Sequence, residues 1–190
     1  TAVECDADIV INSVHKTLPS LTQTAVMHIN YGYVNVEKVR RYWNIYQSTS
    51  PSYILMGSID RCMSIIEKDG KPLFDNYIKR LKELRGRLKQ LKNIKLIESD
   101  DISKIVLGYR SGKELYEVLL KRYGIQLEMS SLKYVIAMTS IFDEQSNYDR
   151  LYNALREIDE DDNQDKCMSD EKACVSDGCV SEGSMQNDGN

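Results

Sequence analysis

The sequence has few histidines, no paired cysteine motif and no long hydrophobic run, and each shortage excludes a class of protein. Only 2 of its 190 residues are histidine, and its 5 cysteines form no Cys-x-x-Cys pair. Neither a zinc site nor a disulfide framework is therefore indicated. No stretch approaches the roughly 18 apolar residues that span a membrane, and the first residues do not read as a signal peptide. These absences predict a cytoplasmic protein with reduced thiols and no membrane partner.

Charge divides the chain into two unlike parts. Residues 157–190 hold 2 basic and 11 acidic residues, whereas residues 1–156 hold 23 basic and 18 acidic ones. The acidic end has almost no large apolar side chains, so its burial cannot offset the entropy of ordering. We expect residues 159–190 to form a disordered acidic tail, either a solvated linker or an interaction segment. The basic residues of 72–91 are interspersed with acidic ones, which predicts a solvated face and no nucleic-acid partner.

Apolar periodicity predicts an α/β protein with two folded parts. The first part, residues 1–70, has two strands buried on both faces, followed by helices. The second part, residues 71–158, is a small α+β layer with helices on one face of a sheet. The predicted strands cover 9–11, 24–29, 94–98, 104–109, 125–129 and 132–139, and the predicted helices cover 36–47, 53–67, 72–91, 113–122 and 145–158.

The connection after the first strand carries most of the candidate chemistry. Ser13, His15 and Thr17 surround Lys16, and the other histidine, His28, lies on the next predicted strand. Hydroxyl and imidazole donors are suited to binding a phosphate, and a partly desolvated lysine amine becomes nucleophilic. A phosphate site beside a nucleophilic lysine suggests pyridoxal 5'-phosphate as cofactor.

Three segments carry a resemblance to a known family: ADIVINSVHKTLPSLTQTAVMHI, IYQSTSPSYILMGSIDRC and GIQLEMSSLKYVIAMTSIFD. Together they resemble the Orn/Lys/Arg decarboxylase family, which comprises pyridoxal-phosphate-dependent decarboxylases of the aspartate-aminotransferase fold. The resemblance implies a partial transferase-like large domain in residues 1–70 and the family's small C-terminal domain in residues 71–158. It also implies decarboxylation of arginine, lysine or ornithine to an amine, the chemistry of polyamine biosynthesis.

The resemblance also implies a role for individual residues. Lys16 would carry the cofactor covalently, and Ser13 and His15 would contact its phosphate. Thr49 and Ser50 would reach the phosphate of a neighbouring subunit, so the protein would be at least a homodimer.

Several alternatives stay open at the level of sequence. An aminotransferase or an aldolase-like enzyme of the same fold would use a similar lysine, and a truncated relative could act as a structural or interaction module. The chain begins at Thr1 rather than Met, and the family's residues for the cofactor ring precede the lysine, so we expect an inactive fragment of a longer enzyme. Asp60, Glu128 and Asp143 are each available to bind the cationic end of the substrate, and the sequence does not rank them.

Overall fold

Two antiparallel sheets and five helices make up residues 2–47 and 49–176, which the computed structural model describes, with side chains described as far as Asn163. In chain order the elements are β1 (Ile9–Ser13), α1 (Val14–Thr17), β2 (Ala25–Ile29), α2 (Val36–Tyr46), α3 (Tyr53–Leu88), β3 (Lys95–Ile97), β4 (Lys104–Gly108), α4 (Gly112–Tyr123), β5 (Met129–Ser130), β6 (Tyr134–Met138) and α5 (Gln145–Ser176).

The larger sheet confirms the predicted helix-covered layer. Its four strands run antiparallel in the order β3-β4-β6-β5. Alternate residues of β4 and β6 point into the core, among them the buried side chains of Ile105, Leu107, Val135 and Ala137. Helices α3, α4 and α5 supply the opposing apolar side chains, including Leu81, Leu115 and Leu155. β5 is only two residues long, so most of the strand predicted over 125–129 is irregular.

Helix α3 corrects the prediction of two separate helices divided near Pro72. It runs without interruption for 36 residues with Pro72 inside it. An internal proline removes one hydrogen bond and costs roughly 3 kcal/mol. The helix persists because Ile66 and Leu73, on either side of this position, both pack against the core. The proposed domain boundary at residues 70 and 71 therefore falls within one helix.

The first sheet corrects the prediction of strands buried on both faces. β1 and β2 pair over five residues, from Ile9↔Ile29 to Ser13↔Ala25, but every residue of β1 is exposed or only half-buried. Ile11 is 68% exposed. The reason is that this sheet has only two strands and that α2, which lines a shallow apolar pocket with Met27 of β2, buries none of its own residues.

Helix α5 corrects the predicted start of the disordered tail. It continues through residue 159 to Ser176. Asp159 and Asp162 are buried, because the first accepts three backbone N–H groups and the second accepts the hydroxyl hydrogen of Tyr109. Composition alone suggested solvated acidic residues, but these two carboxylates have specific buried partners. The part of the predicted tail over 177–190 lies outside the described residues.

Candidate functional site

Lys16 lies in α1. This single helical turn takes the place of the loop that the sequence predicts after the first strand. Val14, only 2% exposed, anchors this turn. Its N–H donates to the carbonyl of Thr24, and its carbonyl accepts from the N–H of Leu18, which packs against the core. Since Val14 and Leu18 point inward, the two residues between them that carry chemistry, His15 and Lys16, remain partly accessible.

His15 has a fixed ring orientation. Its Nδ1 atom lies 2.9 Å from the carbonyl oxygen of Thr24. A carbonyl oxygen can only accept, so Nδ1 carries the hydrogen and donates it. The other ring nitrogen, Nε2, is then an acceptor in the neutral ring and a donor only in the imidazolium form.

The amine of Lys16 pairs with Glu128, a residue 112 positions later in the chain. Nζ lies 2.8 Å from Oε1, and the two side chains are 47% and 42% exposed. Glu128 follows the turn that ends α4 at Gly124, a residue with φ of 62°, and its N–H donates to the carbonyl of Ile136. The end of α4 and the edge of β6 thus bring this carboxylate to Lys16.

A cavity of about 470 Å³ lies beside the two partners. We call it the Lys16 cavity, and its lining residues are His15, Lys16, Gln126, Leu127, Glu128, Ala137 and Met138. A further contact links the lysine turn to the larger sheet, because the hydroxyl of Ser140 donates to the carbonyl of Thr17 over 3.3 Å. The cavity is thus formed jointly by α1 and the end of the larger sheet.

The structure brings some of the sequence-predicted residues to this cavity and not others. His15 and Lys16 line it directly, and Ser13 immediately precedes their turn as an exposed residue that makes no capping hydrogen bond. Thr49 and Ser50 lie exposed in the connection between α2 and α3. Their expected contact involves a second subunit, and it stays a prediction. The partners that sequence reasoning missed, Thr24 and Ser140, give no local signal because their hydrogen bonds depend on the tertiary fold.

The structure distinguishes between the three carboxylates considered for the substrate. Glu128 is the one that lines the Lys16 cavity. Asp143 instead accepts the N–H of Ser140 in the connection between β6 and α5, and Asp60 belongs to α3.

The donor set at the Lys16 cavity fits pyridoxal phosphate in kind. An aldehyde needs a primary amine, which Lys16 provides next to open space. A phosphate needs hydrogen-bond donors, which the hydroxyl of Ser13, just before the lysine turn, and an imidazolium at His15 would provide. Within the described residues, no group of three or more His, Cys, Asp or Glu side chains could hold a metal ion. In the same part of the chain, no helix has both the length and the apolarity required to cross a membrane.

Comparison with known proteins agrees with the resemblance. Residues 2–147 match the family model described as Orn/Lys/Arg decarboxylase, major domain. An arginine decarboxylase of Bacillus subtilis is 28% identical over 83% of this chain and 35% of its own length, and one from Bacillus anthracis is 26% identical over the same shares. The chain thus spans about a third of the length of the curated relatives it matches.

Solved structures show the same fold. The lysine decarboxylase of Francisella novicida superposes with a TM-score of 0.67 at 20% identity, covering 86% of this chain and 28% of that one. The constitutive lysine decarboxylase of E. coli superposes with a TM-score of 0.66 at 19% identity, covering 79% of this chain and 28% of that one. With most of its length matched by the family model, the chain belongs to the Orn/Lys/Arg decarboxylase family.

Proposed function

We propose that the protein decarboxylates a basic amino acid, with pyridoxal phosphate attached to Lys16. The single observation that carries this proposal is that Lys16 lines a cavity with its amine paired to a carboxylate. The names of the relatives, arginine and lysine decarboxylases, support the reaction class. Because the chain spans 35% of the Bacillus subtilis relative, the activity is assigned to the whole protein, and we expect the isolated 190 residues to show no turnover.

Each residue has a defined task in this proposal. Lys16 holds the cofactor, and Ser13 and His15 bind its phosphate, with His15 held in place by the carbonyl of Thr24. When bound, the cofactor supplies an electron sink for the bond that releases carbon dioxide. Thr49 and Ser50 would complete the phosphate site of a second subunit in a homodimer.

In this proposal Glu128 has one role before the cofactor binds and another afterwards. In the chain alone its carboxylate neutralises the Lys16 ammonium at 2.8 Å. Once that amine is used to hold the cofactor, the carboxylate is released at the cavity wall. It can then accept hydrogen bonds from the cationic end that arginine, lysine and ornithine have in common.

Borohydride reduction in the presence of pyridoxal phosphate tests the cofactor assignment. The intact protein is reduced and the modified lysine is located by peptide mass mapping. We expect a label at Lys16 that is lost in Lys16→Ala and kept in Lys113→Ala, a control on the separate helix α4. Absence of a label at Lys16 would contradict the proposal.

The products that the intact protein releases from a basic amino acid then identify the reaction. Carbon dioxide from arginine, lysine or ornithine would assign the decarboxylase and its substrate, whereas a keto acid would assign an aminotransferase. A labelled protein that releases neither product would favour a non-catalytic relative.

A further inference from the structure

Thr24 is a buried polar residue whose carbonyl oxygen binds two residues of the lysine turn, α1. It accepts the N–H of Val14 over 3.0 Å and the Nδ1–H of His15 over 2.9 Å. Ser13, the residue before α1, provides no side-chain cap for this helix. The carbonyl of Thr24 therefore takes the place of a cap, and it also sets the orientation of the His15 ring.

The segment that ends at Thr24 is a β-turn with a strained backbone. The N–H of Thr24 donates to the carbonyl of Leu21 over 3.2 Å, which closes a four-residue turn. Gln23, at the third position of that turn, has φ of 77°. Turns with positive φ at this position favour glycine there, because a residue with a Cβ atom is strained in the left-handed region. Such strain persists only where neighbouring contacts hold the backbone in place.

The hydroxyl of Thr24 provides one of these contacts. Thr24 is 2% exposed, and its hydroxyl donates to the same Leu21 carbonyl over 2.7 Å. This hydroxyl also lies 2.8 Å from the hydroxyl oxygen of Ser20, which is 3.1 Å from that of Ser58 in α3. The Ser58 oxygen in turn accepts the N–H of Leu21 over 2.7 Å. Hydrogen bonds thus run from α3 through this turn to the carbonyl that binds His15.

These hydrogen bonds affect the Lys16 cavity through the ring of His15. Thr24 itself does not line the cavity, whereas His15 does, so Thr24 acts on the cavity through the ring that its carbonyl holds. The hydrogen bond at Nδ1 decides which ring nitrogen carries the hydrogen in the neutral ring. If the carbonyl moved away, the ring would be free to rotate and to carry its hydrogen on either nitrogen. The position of the Thr24 carbonyl thus controls the polar atoms that His15 presents to the cavity.

We propose that Thr24 is a positioning residue, whose buried hydroxyl holds the strained turn closed and thereby fixes the carbonyl that orients His15. Loss of the hydroxyl should relax the backbone at Gln23, move the Thr24 carbonyl and free the imidazole ring. The proposed function, on which this inference rests, assigns His15 to the cofactor phosphate. The freed ring would no longer present a donor of fixed direction to that phosphate.

Nuclear magnetic resonance of the intact protein, isotope-labelled at its histidine nitrogens, tests the effect on His15 without any cofactor. The His15 signals are assigned with His15→Gln and observed in the neutral ring. We expect the hydrogen on Nδ1 in the wild type and a mixture of both tautomers in Thr24→Val, which replaces the hydroxyl by a methyl group. Thr24→Ser, which keeps the hydroxyl, and Thr22→Val, the same change at an exposed position of this turn, should give the wild-type signals. An unchanged tautomer in Thr24→Val would overturn the proposal.

A double variant shows whether the hydroxyl acts through the turn. Glycine adopts a φ of 77° without strain, so Gln23→Gly should keep the turn closed even when the Thr24 hydroxyl is missing. Gln23→Gly combined with Thr24→Val should therefore return the His15 signals towards those of the wild type. A tautomer mixture that persists in the double variant would contradict an action through the turn and overturn the proposal. If Thr24→Val does not fold, Ser58→Ala, which removes the link to α3, takes its place with the same expected and contradicting results.

Cofactor affinity measures the consequence for the proposed function. Titration of the intact protein with pyridoxal phosphate should give a Kd about tenfold higher for Thr24→Val than for the wild type, as for the loss of one hydrogen bond to a charged group. Pyridoxal, which lacks the phosphate, should bind both proteins equally, and an equal loss with pyridoxal would overturn the proposal.

The two proposals fail separately. A wild type that is labelled at Lys16 by borohydride, together with an unchanged His15 tautomer in Thr24→Val, would overturn the role of Thr24 alone. A wild type without that label, together with a changed tautomer in the variant, would overturn the cofactor assignment and leave the effect of Thr24 on the His15 ring confirmed.

Discussion

The ammonium of Lys16 lies 2.8 Å from the carboxylate of Glu128 although 112 residues separate them in the chain. The ion pair connects α1 to the edge of the larger sheet. Both side chains are nearly half exposed, so solvent screens the pair and its contribution to stability is small. Its consequence is positional: it fixes the amine at the wall of the Lys16 cavity.

The first prediction concerns the strength of this ion pair. A double-mutant cycle with Lys16→Gln and Glu128→Gln should give a coupling free energy of about 0.2–1 kcal/mol at low salt. Because mobile ions screen exposed charges, the coupling should shrink towards zero at about 1 M salt. Urea unfolding of the four proteins at the two salt concentrations measures both values. A coupling that salt leaves unchanged would contradict the exposed geometry.

The second prediction concerns Asp159, which ties α5 to the segment before β3. Its carboxylate accepts the backbone N–H groups of Lys92, Asn93 and Ile94 at 2.9, 2.5 and 2.9 Å. Asp159→Ala should lower the free energy of unfolding by roughly 3 kcal/mol, because buried donors lose a charged acceptor.

The control for this experiment lies two residues further along the helix. Asp161 pairs with Arg122 at the exposed surface. Asp161→Ala should change the free energy of unfolding by less than about 1 kcal/mol. Urea titration of both variants makes the comparison, and equal losses would contradict a special role for Asp159.

The third prediction concerns stability at alkaline pH. The Tyr109 hydroxyl donates to Asp162 at 2.6 Å, and burial together with that carboxylate raises the pKa of Tyr109 above its usual 10.0. Above pH 10 the unfolded chain loses this proton while the folded chain keeps it. The free energy of unfolding should therefore fall as the pH rises, by up to about 1.4 kcal/mol per pH unit for one tyrosine.

Replacement of Tyr109 isolates the contribution of this residue to the pH dependence of the free energy of unfolding. Tyr77, Tyr123 and Tyr148 also have raised pKa values, so the wild-type curve contains several contributions. Tyr109→Phe should have a shallower slope between about pH 10 and 11.5. Tyr152→Phe serves as the control. If Tyr109→Phe has the same slope as the wild type, the Tyr109 hydroxyl of the wild type loses its proton as readily in the folded chain as in the unfolded chain.

The larger sheet was predictable because its signals are local. Side chains alternate between core and surface along β4 and β6, and Gly124 ends α4 in the left-handed conformation that glycine permits. The continuity of α3 across Pro72 was not predictable in this way. It depends on tertiary contacts of Ile66 and Leu73, which outweigh the local preference of proline to end a helix.

The candidate site was predictable in part for the same physical reason. Lys16 and its neighbours lie within a few residues of one another, so their donor chemistry is visible in the sequence. Glu128 could be named as one of three carboxylates but not chosen, since its contact with Lys16 requires α4, β5 and β6 to be folded. The tail prediction failed at Asp159 because composition does not show the N–H groups that a carboxylate will meet.

The last prediction concerns Gly112, the first residue of α4. A Cβ atom there would lie 2.3 Å from the carbonyl oxygen of Ser131 and 2.4 Å from that of Tyr134. Both atoms belong to the backbone that turns from β5 into β6, so neither can move aside cheaply. Gly112→Ala should therefore lower the free energy of unfolding by roughly 3 kcal/mol.

Gly86 in α3 is the matched control, because a Cβ there meets no atom within 4 Å. Gly86→Ala should raise the free energy of unfolding by about 0.5–1 kcal/mol, since alanine loses less backbone entropy than glycine on entering a helix. If α4 packs directly on the β5–β6 turn, thermal and urea unfolding should show a lower free energy of unfolding for Gly112→Ala and a higher one for Gly86→Ala than for the wild type. A Gly112→Ala variant as stable as the wild type would show that α4 does not approach that turn so closely.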